Sequence, residues 1–225
     1  MAGESTRAEL IERVRQAFGE RAAITAVGDV EPWLTDWRGR WHGRSDAILA
    51  PASTEEVAAI VGWAAMAGVP LVPQGGNTSM VGGATPAEDG SALVLSLRRM
   101  NRVREMAPDS AVVEAGVILS DLHDSAAEHG RRFPLTLGAR GSCTVGGLAA
   151  TNAGGTQVLR FGTMRSLVLG VEAVLADGSV HDGLAGLKKD NRGYSLDQLL
   201  VGSEGTLGVI TAVRVRLVPA VAARA

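Results

Sequence analysis

Pro70-Leu71-Val72-Pro73-Gln74-Gly75-Gly76-Asn77-Thr78-Ser79-Met80-Val81-Gly82-Gly83 is the stretch on which the fold turns: a short apolar run breaks into a loop of paired glycines and small hydroxyl residues. Glycine lets the backbone take up φ > 0 and approach a ligand with no Cβ in the way, and successive turn N–H groups then form an anion-binding concavity. No Asp, Glu, Lys, Arg or His occurs between Val57 and Ala87, so an anion held here must be neutralised by main-chain amides. Hydrogen bonds to charged groups are worth about 1.5–3 kcal/mol each, so two or three aimed N–H donors suffice to anchor a pyrophosphate. The competing reading is a glycine-rich surface turn after a buried strand.

Around this stretch lie 225 residues, 46% hydrophobic and 20% charged, ample for one well-buried core or two lobes sharing it. The net charge of -2 offers no basic field for nucleic acid or an anionic membrane surface. One cysteine, Cys143, excludes an internal disulfide framework and suits a reducing compartment. Met1 to Arg15 shows no secretory h-region, and the long uncharged run is broken by Gly62, Gly68 and Pro70 before a membrane-spanning length is reached. The expectation is a soluble, cytoplasmic protein with no integral membrane segment.

Read in order, Leu10, Ile11, Val14, Ala17 and Phe18 recur at helical spacing, predicting an amphipathic helix over 6–18 that ends at Gly19, within an N-terminal arm over 1–40. The segment Trp33 to Trp41 fits neither period, and its three tryptophans read first as packing onto the next domain and second as lining a partner or ligand. A strand over 46–50, a helix opened by the capping box Ser53-Thr54-Glu55-Glu56, and a strand over 70–73 make a β-α-β unit. That unit delivers the glycine loop at a strand's C-terminal end, where open α/β sheets place ligands. A strand over 92–97, a hairpin around Pro108-Asp109-Ser110, a helix over 119–129, an extended 133–137, a hairpin around Asp177-Gly178 and a last strand over 209–218 complete the chain. The first half alternates strand and helix while strands dominate the second, which predicts two lobes, about 41–106 and 107–222, with a ligand between them.

Two more glycine clusters stand in the second half, at Gly138 to Gly155 and at Gly202 to Ile210. Between Gly141 and Leu159 the only ionisable side chain is the Cys143 thiol. Glycine inside a regular element costs up to about 1 kcal/mol relative to alanine, so three such clusters imply backbone crowded against something bulky, flat or charged. No Gly-x-Gly occurs, which removes the Rossmann fingerprint and the kinase-type loop, and no Gly-Lys-Ser/Thr occurs, which removes the P-loop. The four histidines show no HxH or HxxxH pairing, so no metal site is expected within this chain.

The ordered motifs Pro73-Gln74-Gly75-Gly76-Asn77-Thr78, Gly141-Ser142-Cys143-Thr144-Val145-Gly146-Gly147, Thr151-Asn152-Ala153-Gly154-Gly155, Lys189-Asp190-Asn191-Arg192-Gly193-Tyr194 and Gly202-Ser203-Glu204-Gly205-Thr206-Leu207-Gly208-Val209-Ile210 resemble the FAD-linked oxidases of the vanillyl-alcohol oxidase / p-cresol methylhydroxylase (PCMH) type. Within them the chain is most similar to the dehydrogenases of D-lactate, glycolate and D-2-hydroxyglutarate. The resemblance covers roughly Trp37 to Pro219 and implies an α+β, PCMH-type FAD-binding domain of two α/β lobes with the cofactor between them.

The resemblance implies that Gly75, Gly76, Asn77, Thr78, Ser79 and Gly82 wrap the FAD pyrophosphate, with Pro73 and Gln74 before them also counted as cofactor-binding. Pro134, Leu137, Gly138, Ser142, Cys143, Thr144, Gly146 and Gly147 would then run beside the isoalloxazine and ribityl chain. Asn152 and Gly154 would hold their loop against the cofactor, and Glu204, Gly205, Gly208, Val209 and Ile210 would close over it. Lys189 and Asn191 would lie near the flavin or the lobe junction. Ser79 stands where relatives commonly carry glycine; serine at φ > 0 costs about 1–2 kcal/mol, so φ < 0 is expected there. The first loop lacks the histidine to which some relatives attach flavin covalently, so non-covalent FAD is expected. Related enzymes continue into a substrate domain bearing the base, the substrate arginine and, in some, a metal site, and this chain stops just after Pro219. Three readings therefore stand: the FAD-binding part of a 2-hydroxyacid dehydrogenase working with an electron acceptor, a truncated or split FAD-binding module inactive without a separate substrate domain or partner chain, or, third in order, a nucleotide-binding regulatory fold without redox chemistry. A homodimer is compatible with any of them.

Overall fold

The computed structural model describes residues 3–187, 191 and 193–221. Helix α1 (Glu4–Phe18) buries Leu10, Ile11 and Val14 and stops at Gly19, whose φ of 84° closes the last turn. Residues 1–40 were expected as a separate arm, and two contacts correct this. Phe18 stacks on Trp63 with ring centroids 5.6 Å apart. Strand β1 (Ala23–Ile24) pairs antiparallel with β2 (Ile48–Leu49), so the N-terminal residues are built into the first sheet. The single turn α2 (Val27–Val30) and a 3-10 turn over Glu31–Trp33 lie between those strands.

Ser53 caps α3 (Thr54–Ala67), its Oγ accepting from Glu56 N at 3.3 Å. The Glu56 carboxylate accepts from Ala52 N at 2.8 Å, one residue earlier than in the reciprocal bond of a capping box. Gly68 ends the helix in the left-handed region at φ 65°. Strands β3 (Leu71–Gln74) and β4 (Leu93–Ser96) run parallel, and β4 also pairs with β2, giving the order β1-β2-β4-β3. All four residues of β4 are buried, as a parallel strand covered on both faces requires. Val57, Ile60, Val61 and Ala64 of α3 join Leu93 and Leu95 in one core, and β3 hands the chain directly into Gly75-Gly76.

The second lobe begins at β5 (Val103–Met106), which forms one hairpin with β6 (Ser110–Glu114). The lobe boundary therefore falls before Val103 rather than after Met106. Along the chain come α4 (Leu119–Glu128), β7 (Arg131–Arg132), α5 (Val145–Ala150), α6 (Val158–Phe161), α7 (Met164–Leu167), β8 (Val168–Val174), β9 (Val180–Asp182), α8 (Leu196–Leu200), β10 (Val209–Arg216) and β11 (Val218–Pro219). Five strands form an antiparallel sheet in the order β5-β6-β10-β8-β9, with β10 paired on both sides. β7 pairs with β11 in a two-stranded ribbon, so the extended run expected over 133–137 is regular only just before it starts. Helix α4 packs Leu119, Leu122 and Ala126 onto this lobe's core with Val171 and Val213.

On one side the lobes are tied by charge. The Glu172 carboxylate on β8 accepts from Thr54 Oγ1 at 2.5 Å, Thr211 Oγ1 at 2.8 Å and Arg104 Nη1 at 3.1 Å. Glu114, fully buried on β6, takes Arg102 at 2.9 Å and Arg104 at 3.1 Å. Burial pushes the pKa of Glu172 up, but the bonds from Arg104, Thr54 and Thr211 outweigh it and hold the carboxyl below its ordinary value. Glu114 is likewise pushed up by burial and held low, on balance, by Arg102 and Arg104. Since Thr54 opens α3 of the first lobe, this network fixes one lobe against the other.

Candidate functional site

On another side of the junction the three glycine segments converge on a cleft of about 250 Å³. Pro73, Gln74, Gly75, Gly76, Asn77, Thr78 and Ser79 line its first wall, continuing from the end of β3. Leu137, Cys143, Thr144, Gly146 and Gly147 line the second, where Thr144 caps α5. Glu204, Gly205, Gly208, Val209 and Ile210 line the third, the last two being the first residues of β10. Six expected residues lie elsewhere. Gly82 is turned against Trp41, Pro134 is buried, Gly138 and Ser142 are exposed, and Asn152 and Gly154 sit behind the wall, half-buried. Asn191 is exposed and does not line the cleft, and Lys189 lies outside the described residues.

The structure shows why glycine is needed at the first loop, and the reason is non-local. A Cβ on Gly75 would sit 2.2 Å from Thr144 Oγ1, and one on Gly76 would sit 2.1 Å from the Ser142 carbonyl oxygen and 2.9 Å from Cys143 Cα. The first and second segments cross backbone on backbone, and any side chain there would force them apart. Gly146 is equally confined, 2.5 Å from Ala115 Cβ. The third segment is tied on by Gly202 N to Ala149 O at 3.0 Å and Glu204 N to Ala150 O at 2.9 Å. Arg165 adds a brace: its N–H donates to Asn152 Oδ1 at 3.0 Å, and its guanidinium donates to the Gln198 and Val201 carbonyls.

Three described non-glycine residues have positive φ, and each sits in a different segment: Asn77 at 51°, Asn152 at 48° and Glu204 at 52°. Strained backbone of this kind concentrates at functional sites. Ser79 is not among them, as expected for serine.

The donor set suits an anion held without cations. Among the described residues no Lys, Arg or His lines the cleft, and Glu204 is its one acidic residue. Among them too, the backbone N–H groups of Gly76, Asn77, Thr78 and Ser79 donate to no other group of the protein. Leu97, Leu137, Ala139, Leu148 and Ala150 supply apolar surface to the same cleft. The pKa of the Cys143 thiol is pushed up by burial, which keeps it protonated and unreactive. Among the described residues no group of three potential metal ligands is found, and no helix is long and apolar enough to cross a membrane.

Gly83, Ala84, Leu97, Ala139, Leu148, Ala150, Thr151 and Ala153 also line the cleft without having been assigned to the cofactor, although Gly83, Thr151 and Ala153 stand within the quoted stretches. Leu148, Ala150 and Thr151 belong to α5 and its C-terminal end, hidden because Gly146 and Gly147 mask a helical turn. The apolar pair Leu148 and Leu97 flanking glycine or strand residues was the available signal.

Comparison with known proteins bears on this cleft. A family model described as an FAD binding domain matches residues 45–183, well over half of the chain. The chain belongs to this FAD-binding family. The chain is 48% identical over 198 residues to "D-2-hydroxyglutarate dehydrogenase, mitochondrial" of Bos taurus, covering 87% of this chain and 36% of that protein. It is 44% identical over 189 residues to a protein of Schizosaccharomyces pombe whose name reads "Putative D-lactate dehydrogenase C713.03, mitochondrial", covering 83% of this chain and 36% of that protein. A crystal structure of p-cresol methylhydroxylase with substrate bound matches at a TM-score of 0.82 and 20% identity, covering 99% of this chain and 45% of that one, which places the α+β fold in the PCMH type. The chain thus spans about a third of the length of the curated relatives it matches. The expectation of a cytoplasmic location is corrected by the same relatives, whose names place them in mitochondria. A single buried thiol makes no disulfide demand, so cysteine usage could not separate the two compartments.

Proposed function

We propose that this chain is the FAD-holding part of a flavin-dependent dehydrogenase that oxidises a D-2-hydroxyacid of the D-2-hydroxyglutarate or D-lactate class and passes the electrons to a separate acceptor. The observation that carries this is the cleft itself: free amides, no cation and an apolar face, walled by three segments at the lobe junction. The names of the relatives supply the substrate class. When bound, FAD supplies the acceptor for the substrate's α-hydride. The chain's own task is to bind and orient. Gly76 to Ser79 present N–H groups to the pyrophosphate, Thr144 and Gly147 stand beside the ribityl chain, and Leu137, Leu148, Val209 and Ile210 exclude water from the ring system. Cys143, buried and protonated, forms no bond to the flavin, so the cofactor is dissociable.

A second reading, an FAD-binding module inactive without a separate substrate domain or partner chain, rests on the same cleft. Titrating purified protein with FAD tests the common part: uptake, followed by release of all flavin into the supernatant on acid precipitation, is expected. A colourless protein that takes up no FAD overturns both readings. Anaerobic addition of D-2-hydroxyglutarate or D-lactate then divides them, since bleaching marks the dehydrogenase and an unchanged yellow colour marks the module.

A further inference from the structure

Beyond the end of β3 the first wall of the cleft has no regular structure of its own, and its shape is imposed from outside. Residues 35–42 form a small hairpin in which Thr35 and His42 face each other across an antiparallel bridge, with Thr35 Oγ1 2.8 Å from His42 Nδ1. Its interior is filled by Asp36, only 4% exposed. The Asp36 carboxylate accepts from the backbone N–H of Trp41 at 2.7 Å, Arg38 at 3.1 Å and Arg40 at 2.6 Å, and the hairpin closes around it.

From this hairpin and the turn before it, bonds run to both ends of the glycine loop. Asn77 Nδ2 donates to Thr35 O at 2.8 Å, across the position where Asn77 itself is left-handed. Gln74 Nε2 donates to Trp33 O at 3.0 Å and to Ala84 O at 2.7 Å, joining the loop's entry, its exit and the Trp-rich segment through one amide. The Arg98 guanidinium lies over the Trp33 ring at 4.6 Å while its Nε donates to Gly75 O at 3.1 Å. At the far end the Trp41 indole lies flush against Gly82, where a Cβ would come within 2.9 Å of Cδ1. Every one of these contacts uses a side chain or a carbonyl, and none consumes the N–H groups of Gly76 to Ser79.

We propose that the 35–42 hairpin, keyed internally by Asp36 and coupled through Asn77, is a positioning element that holds the first glycine loop in its cofactor-ready shape before FAD arrives. The inference rests on the FAD reading above and deepens it. Asp36 itself does not line the cleft, so its effect on affinity reaches the ligand only through the loop.

Two measurements on the whole chain decide it. Asn77→Gly keeps the left-handed backbone but deletes the coupling amide, and Asp36→Ala deletes the key. The net worth of one to two hydrogen bonds predicts an FAD dissociation constant raised about five- to tenfold in each, by titration of flavin fluorescence. Asp36→Asn, which still accepts some of the three N–H bonds, is expected to restore part of the affinity. Cleavage of the cofactor-free protein within 75–84 by a broad-specificity protease is expected to quicken about tenfold in both Asn77→Gly and Asp36→Ala, with the second lobe cut no faster. FAD binding and loop cleavage that match the unaltered protein in Asn77→Gly would overturn the proposal, even if Asp36→Ala failed to fold. Should the unaltered protein take up no FAD, the cofactor reading falls, and the cleavage experiment still decides whether the hairpin shapes the loop.

Discussion

The lobes meet along two seams of opposite chemistry. Beside α3, Arg102, Arg104, Glu114 and Glu172 are bound together with Thr54 and Thr211; at the cleft, Glu204 is the only charged side chain among the described residues of three walls. The charged seam satisfies its groups internally and leaves nothing to offer a ligand. The uncharged seam leaves amide donors unused and excludes cations. The contrast shows how one junction can be rigid and receptive at once: fixed ion pairs set the relative position of the lobes, and neutral backbone is then free to meet an anion.

The sharpest way to break this contrast is Arg104→Ala. It leaves Glu172 with only the Thr54 and Thr211 hydroxyls and Glu114 with only Arg102, and removing one member of a buried pair costs about 3–5 kcal/mol. Urea unfolding should show that loss. In the unaltered protein the two carboxyls titrate below their unfolded value of about 4.3, so their stabilisation is complete above that pH and is lost as pH falls through the lower folded values. In Arg104→Ala Glu172 loses its charged partner and keeps only the Thr54 and Thr211 bonds, while Glu114 keeps Arg102, so the acid-side loss should shrink. Stability unchanged by the substitution would show that the charged seam does not set the lobes.

Gly76→Ala tests the neutral seam. Its methyl would meet Ser142 O and Cys143 Cα, so the two segments must separate, at an overpacking cost of about 1–3 kcal/mol, and FAD uptake should fall with it. An unaltered melting temperature would sever the link between loop crossing and cleft shape. The smallest effect is expected from Glu204→Gly. Relieving a left-handed glutamate gains about 1–2 kcal/mol, offset by about 0.4–1 kcal/mol from the added freedom of the unfolded chain, so stability should rise by about 0.5 kcal/mol. A fall in stability instead would mean that the Glu204 side chain braces the third wall.

Much of this was legible where the physics is local. The Ser53 cap, the Gly68 stop and the valine-rich runs of β6 and β10 are written in adjacent residues, and so was the β-α-β unit that delivers the loop. The meeting of three glycine segments was also foreseeable, because uncharged glycine clusters have few other uses. What stayed hidden depends on partners distant in sequence. Gly75 and Gly76 read as residues free to adopt positive φ, whereas neither does so, and both are needed for the crossing with Ser142 to Thr144. Helix α5 forms despite Gly146 and Gly147 because it packs against Ala115 and the central strand, an energy that propensity does not contain. The hairpin 35–42 has no periodic signal at all, since its organising side chain binds backbone N–H groups.

β10 gives both the middle of the five-stranded sheet and the last wall of the cleft. The first wall comes from residues 73–79 and the last from 204–210, so a molecule whose first sheet alone has folded holds the glycine loop without the wall that closes the cleft. Retention of a bound dinucleotide is therefore also a report on assembly of the second sheet.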